Sequence, residues 1–468
     1  VQRVSSLDAA MLYAETPEMP MHSMGVVIME PPPGAPPFEV MRRVFEERMH
    51  LLAPFRRRLV EGPLQLGDPH WIEDPAFDLA NHLRRAAIPT PGSLRELAEF
   101  VGDFASRPLE RSKPLWEMVL VEGVEGGNIA VVTKVHHAAM DGGRLVALLV
   151  GRLFDPSPEG RTVPPPGAQW SPDPEPSLAW LAADTARSLA TRPLHAMRAL
   201  ADVTATFVRA SRVRRGRGGA ARLFEAPATP FNGALTPHRS VALADVAFDD
   251  LETIKRAFGT TINDVVLAAS GSALRSWLLA HGGLPERPLV VNVPVAVRSA
   301  GEEDAGNRVS MVLVHLPVQI HDPVERLMAI GAETQRAKAA HGAVRGDVFR
   351  AFTDVLTNLT APWLLTHVVG LYSSTHLADR LPFLWNLVIS NLPGPAAPLY
   401  CGGARALRIY PLGPVQQGSG LNLTVLSTLD RLCVGAMACR ELVPDVEDIT
   451  TGFVHAIGEL RALAAERR

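Results

Sequence analysis

The chain has 468 residues and a net charge of −3, with 47% hydrophobic and 20% charged residues. That length exceeds what one hydrophobic core usually serves, so two globular domains are expected, and the near-neutral charge removes any global electrostatic case for nucleic acid. Cys401, Cys433 and Cys439 make no disulfide framework, and none has metal-ligand spacing with histidines, which suits a reducing, cytoplasmic setting.

The opening Val1–Ala10 is polar and carries Arg3 and Asp8, which is not a secretory pattern. Apolar spacing predicts a helix over Phe38–Leu51 and another over Leu94–Phe104. Trp116–Gly123 and Asn128–His137 read as two strands of a hairpin joined through Val124-Glu-Gly-Gly. A proline-dense stretch from Val163 to Pro176 excludes both helix and central strand. Helical patterns follow at Leu178–Thr191 and Pro193–Arg215, mixing Trp180, Leu189, Leu194 and Met197 with Arg187, Arg192, Arg198 and Arg212. Such a pattern fits a basic amphipathic helix at a lipid interface, or an ordinary helix docked on the protein.

The second half opens with a strand at Ser240–Phe248 and a helix at Asp249–Phe258. A longer helix at Asn263–His281 has Thr260 or Thr261 as N-cap and Gly282-Gly283 as its stop. Strands at Leu289–Val293 and Arg308–Leu316 precede helices at Pro323–Ala340 and about 346–375; strands at Trp385–Asn391, Leu421–Thr428 and Arg431–Ala438 lead to a terminal helix, Asp445–Glu466. The reading is therefore α/β in two halves, residues 1–155 and 239–468, joined by a Pro-rich, partly helical basic crossover at 156–238. No apolar run reaches the roughly 18 residues of a spanning helix, since Arg152 interrupts Leu145–Phe154 and His367 interrupts Pro362–Tyr372. If the protein works on lipids, it does so from the membrane surface.

Chemistry concentrates in Asn128–Gly143. If the strand runs through His137, then Ile129, Val131, Thr133, Val135 and His137 share one face, and Ala130, Val132, Lys134 and His136 share the other. An imidazole at the end of an apolar face, followed by Ala138, Ala139, Gly142 and Gly143, has room for a substrate and stays neutral, as a general base must. Adjacent strand residues point apart, so His136 and His137 do not share a metal ion, and no metal is expected. Asp141 either contacts the imidazole or holds the loop by pairing with a remote arginine. The second is expected, with Arg298 as partner, because a carboxylate that orients a catalytic histidine usually comes from elsewhere in the sequence.

His136-His137-Ala138-Ala139-Met140-Asp141-Gly142 resembles the His-His-x-x-x-Asp-Gly motif of the CoA-dependent acyltransferase superfamily, which includes chloramphenicol acetyltransferase and peptide-synthetase condensation domains. Pro114-Leu115-Trp116-Glu117, Asn263-Asp264, Gly271-Ser-Ala-Leu-Arg275, Ser5-Ser-Leu-Asp8, Met21-His22, Ser390-Asn-Leu-Pro-Gly-Pro395 and Gly420-Leu-Asn422 narrow the resemblance to the bacterial wax ester synthase/diacylglycerol acyltransferases. It implies two chloramphenicol-acetyltransferase-like domains with mixed sheets and an active-site channel between them. It implies His137 as the catalytic base and Asn263 and Asp264 in contact with substrate, helix capping alone being the competing role for Asn263; Asp141 is expected to be catalytic with it, and His136, Gly142 and the candidate partner Arg298 to support the motif. Trp116 is expected to pack rather than bind. The implied reaction takes acyl-CoA as co-substrate, needs no cofactor, and acylates diacylglycerol or a long-chain alcohol at a membrane or lipid-droplet surface. A carrier-protein-dependent condensation or transesterification enzyme, and a non-catalytic lipid-binding relative, are the alternatives.

Overall fold

Alternation decides the first sheet. Along Asn128–His136, Ile129, Val131 and Val135 enter one core while Ala130 and Val132 enter another, as the two-residue period of an extended chain requires. The computed structural model describes residues 1–164, 172, 174–192, 194, 197–198, 221, 224–296, 309–343 and 362–467.

Two six-stranded sheets dominate. The first runs β12 (Tyr400–Cys401), β13 (Ala404–Leu412), β2 (His22–Met29), β7 (Asn128–His136), β6 (Trp116–Val124), β5 (Leu83–Ala87), antiparallel except at β5/β6. The second runs β10 (Val309–Leu316), β9 (Leu289–Ala296), β11 (Leu387–Pro393), β14 (Leu421–Ser427), β15 (Arg431–Cys439), β8 (Arg239–Ala247), parallel at β9/β11 and β11/β14 and antiparallel elsewhere. A small antiparallel sheet of β1 (Gln2–Arg3), β4 (His70–Glu73) and β3 (Arg57–Val60) lies beside them. Both large sheets are mixed, as expected of an α/β chain of this kind.

In the second half, alternate residues of the sheet, among them Val291, Val293, Leu423, Val425, Val434 and Ala436, share one core with the helices Phe248–Phe258, Ile262–Ala280, Pro323–Ala343 and Val446–Ala465. Thr261 is the N-cap of Ile262–Ala280, one of the two caps expected.

One strand does not respect the order of the chain. β13 belongs to the second half in sequence, yet it pairs with β2 of the first sheet, with Ile409 opposite Val27 and Tyr410 opposite Val26. The two sheets meet where β13 passes β15: a Cβ placed on Gly435 would overlap the Pro411 carbonyl oxygen, so only glycine permits that approach. One core is accordingly common to both sheets, with Met24, Val26 and Val132 packed beside Val241, Leu243 and Met437.

The end of the first half is fastened to β12, which pairs with the other end of β13. Asp155 exchanges backbone hydrogen bonds with Tyr400 (2.7 and 2.9 Å), and its buried carboxylate takes the buried Arg48 guanidinium at 2.9 Å. The crossover helix, residues 178–192, is docked rather than free. Its Leu181 is buried, Asp184 pairs with Arg3 at 2.7 Å, and Arg192 pairs with Asp68 at 3.2 Å. The helix expected at about 346–375 is seen as Pro362–Ser374; residues 344–361, like most of 193–220, lie outside the described residues.

Candidate active site

The motif occupies a strand, a turn and a helix in succession. β7 ends at His136, one residue before the expected end, because the amides of Ala139 and Met140 both turn back to the His136 carbonyl (2.9 and 3.2 Å). The expected placement of His137 on the pleat beside Val135 is therefore corrected: His137 stands on the turn, where its own amide donates to the Met21 carbonyl at 2.7 Å. Asp141 is the N-cap of the helix Gly142–Leu148 and accepts the Arg144 amide at 2.8 Å. A carboxylate there satisfies a free helical N–H and lies at the positive end of the helix dipole. Arg298, its expected partner, lies outside the described residues.

His137 remains partly exposed. Burial of the ring pulls its pKa below the ordinary 6.5, the charge of Asp141 and the ring's backbone hydrogen bond push the other way, and His136 adds to the lowering. The net direction is downward, so the imidazole is neutral and able to accept a proton at physiological pH.

His136 is fully buried on the other side of the strand. Its Nδ1 accepts the Ala138 amide at 3.0 Å, and its Nε2 lies 3.6 Å from Glu15 Oε1. Glu15 in turn receives Arg111 Nε at 2.8 Å. Behind them, Lys134 donates to the Phe104 and Arg107 carbonyls and lies 3.3 Å from Glu117, and the His22 ring meets His136 edge-on at 6.1 Å between centroids. Sequence reasoning did not find Glu15 or Arg111. They are 121 and 25 residues from His136, and no local pattern connects them to it.

The remaining expected residues divide plainly. Gly142 faces the second half: a Cβ there would meet Leu392 of β11 at 3.7 Å, which sets the motif where the two halves touch. Asp264 is engaged within the protein, its Oδ2 receiving the Thr261 amide and hydroxyl (2.9 and 2.7 Å) and its Oδ1 the Thr334 hydroxyl (2.6 Å). It closes the first turn of its own helix and ties that helix to Pro323–Ala343. Asn263 sits one residue before it, past the Thr261 cap. Trp116 is a packing anchor, as expected: it is buried, donates to the Phe55 carbonyl at 2.7 Å and stacks on His82 and Phe45. Among the described residues no group of three or more His, Cys, Asp or Glu side chains could hold a metal ion.

Family models cover both halves. Residues 4–266 match the wax ester synthase/diacylglycerol acyltransferase catalytic domain, and residues 305–461 match the C-terminal domain of the same proteins. The chain belongs to the wax ester synthase/diacylglycerol acyltransferase family. Among its relatives are two Mycobacterium tuberculosis proteins provisionally named diacylglycerol O-acyltransferases. Rv1760 is 36% identical across 98% of this chain and 90% of its own length, and Rv0221 is 36% identical across 99% and 97%. Among solved structures, the wax ester synthase/diacylglycerol acyltransferase from Marinobacter aquaeolei VT8 superposes with a TM-score of 0.70 at 28% identity, covering 99% of this chain and 100% of that one. The first condensation domain of the CDA synthetase shares the fold, with a TM-score of 0.58 at 16% identity over 100% and 97% of the two chains. With the family's motif intact at His136–Gly142, this chain is an acyltransferase.

Proposed function

We propose that this protein transfers a long-chain acyl group from acyl-CoA to the hydroxyl of diacylglycerol, a long-chain alcohol, or both, with His137 as general base. One observation carries the reading: His137, partly exposed and with its pKa drawn down by burial, stands on a turn whose following glycine abuts the opposite half of the chain. His137 takes the hydroxyl proton as the alcohol oxygen bonds to the thioester carbonyl carbon. The tetrahedral intermediate then expels the CoA thiolate, and the imidazolium protonates it. The products are ester and free CoA, with no acyl-enzyme and no cofactor. Asp141 shapes the turn and opposes full loss of imidazole basicity. Asp264 acts by positioning its helix, and Asn263, whose neighbour is so engaged, is the one of the pair left to face substrate.

The test pairs palmitoyl-CoA with diolein and, separately, with hexadecanol, and measures CoA release. Saturable release with at least one acceptor is expected. Activity confined to acyl-carrier-protein thioesters would instead support the condensation or transesterification alternative, which the shared fold of the CDA domain keeps in view.

The acceptors are lipids, and a second observation supports work at a lipid surface. Among the described residues no helix is long and apolar enough to cross a membrane. The helix Pro362–Ser374 contains no Asp, Glu, Lys or Arg, and exposes Trp363 (40%), Leu364 (40%), Val368 (54%) and Leu371 (60%). Its Leu365 packs in the same cluster as Ala138 and Ala139, the neighbours of His137. Nearby, Leu64 is 83% exposed at a φ of 56°, a conformation that costs a non-glycine residue energy and holds an apolar tip outward. The basic helix, for which the sequence allows either a lipid interface or docking on the protein, is docked as far as residue 192 through Leu181, Asp184 and Arg192. Replacing Leu364 and Leu371 together with aspartate is expected to abolish co-flotation with phosphatidylcholine vesicles containing diolein, since each apolar side chain leaving lipid forfeits about 1.5–3 kcal/mol. Unchanged flotation would discard this surface.

A further inference from the structure

Glu15, Arg111 and His136 come from three separate segments, and their side chains form one chain of contacts, half-buried at Arg111 and fully buried at His136, that ends at the backbone of the catalytic turn. Glu15 follows the helix Ser6–Ala14 as its C-cap residue. Its Oε2 takes Arg111 Nε at 2.8 Å and the Arg111 terminal nitrogen at 2.7 Å, while its Oε1 faces His136 Nε2 at 3.6 Å. Arg111 also donates to the Leu12 carbonyl of that helix, which fixes the guanidinium and hence the carboxylate. On the far side of the His136 ring, Nδ1 accepts the Ala138 amide proton at 3.0 Å. A nitrogen that accepts an N–H carries no proton itself, so the ring proton is on Nε2 and points toward Glu15.

We propose that Glu15, anchored by Arg111, is a positioning residue for the general base: it fixes His136 as its Nε2–H tautomer, so that Nδ1 can hold the Ala138 amide and thereby set the turn that aims His137. The inference rests on His137 being the base, and adds to that reading how the base is held. Ala138 is the residue after His137, so the other tautomer at His136 would turn an accepted amide hydrogen bond into a clash of two N–H groups, and a ring flip would put a C–H where the accepting nitrogen stands. Displacement of a reacting group by about 1 Å is enough to cost on the order of 100-fold in rate. Burial opposes the ionised form of Glu15, yet its contacts with His136 and Arg111 hold the carboxyl below its ordinary range, so the carboxylate stays charged wherever the enzyme works. His22 and Lys134 are the other buried polar groups behind the ring. The His22 ring meets it edge-on rather than by a hydrogen bond, and Lys134 is occupied by Glu117 and two carbonyls.

The experiment uses the full chain. Glu15→Gln keeps the shape and removes the charge; kcat should fall about 10- to 100-fold, with KM for palmitoyl-CoA within about twofold because no substrate contact is lost. In a cycle with His136→Gln, the double variant should be no slower than the slower single one, since both act on one turn. In the unsubstituted protein, ¹⁵N-histidine spectra, assigned by the signal lost in His136→Gln, should show His136 protonated at Nε2 and bare at Nδ1. Unchanged kcat in Glu15→Gln, additive losses in the cycle, or a proton on Nδ1 would each overturn the proposal; the spectrum decides the matter even where the variants fail to fold. If His137→Ala remains active, the base assignment itself fails. If His137→Ala is inactive while Glu15→Gln is normal, only this inference fails.

Discussion

Alanine in place of His137 is expected to reduce CoA release from palmitoyl-CoA plus diolein or hexadecanol by about 10²- to 10⁴-fold, the usual contribution of a general base. The thermal midpoint should move little, because the residue is partly exposed and the bonds that shape the turn are made by main-chain groups: the Met21 carbonyl takes the His137 amide, and the His136 carbonyl takes those of Ala139 and Met140. The same imidazole sets the acid side of the pH profile. Its pKa lies below 6.5 because burial outweighs the charge of Asp141. The base is therefore neutral above that value, and kcat/KM should fall only as pH drops through a midpoint under 6.5. An acid-side midpoint above 6.5, or near-normal turnover in His137→Ala, would remove His137 from the mechanism.

The largest stability effect is expected at Asp155. Its carboxylate receives Arg48 at 2.9 Å and the Arg161 amide and Nε at 3.1 and 3.2 Å, with Arg48 and Asp155 side chains only 5% and 2% exposed. Asp155→Ala strands a buried guanidinium, and breaking one side of such a pair costs about 3–5 kcal/mol. For a chain of this size that corresponds to a thermal midpoint lower by about 3–5 degrees. The companion variant separates charge from packing. Arg48→Met with Asp155→Leu removes both charges together and should recover most of the loss, since an apolar pair of similar volume spares the desolvation of two ions. Equal destabilisation in the single and double variants would show that the backbone exchange with Tyr400, rather than the ion pair, holds this junction.

How much of this was legible in the sequence varies with the range of the interaction. The hairpin of β6 and β7, the helix capped by Thr261 and the terminal helix depend on local periodicity and capping, and each appears within a residue or so of where pattern places it. His137, Asp141 and Gly142 lie within six residues of one another, so the motif announced the site. The strand β2 passed unnoticed, although His22–Met29 is strongly apolar, because Met21-His22 was read as a landmark and not as the start of an extended run. The strand ends at His136, one residue before the expected His137, because pattern marks the apolar run and not the carbonyl to which the Ala139 and Met140 amides turn back.

By itself the sequence determined the chemistry class and the local elements: a histidine and its capping aspartate at fixed spacing, strands of alternating apolar residues, helices with their stops. Only the tertiary structure decided that β13 leaves the second half to pair with β2, that Asp155 is locked to Arg48 and Tyr400, and that Glu15 and Arg111 stand behind His136. Periodicity reports which face of an element is buried. It carries no information on which distant segment does the burying, because that choice depends on how sheets and side chains fit together once the whole chain has collapsed.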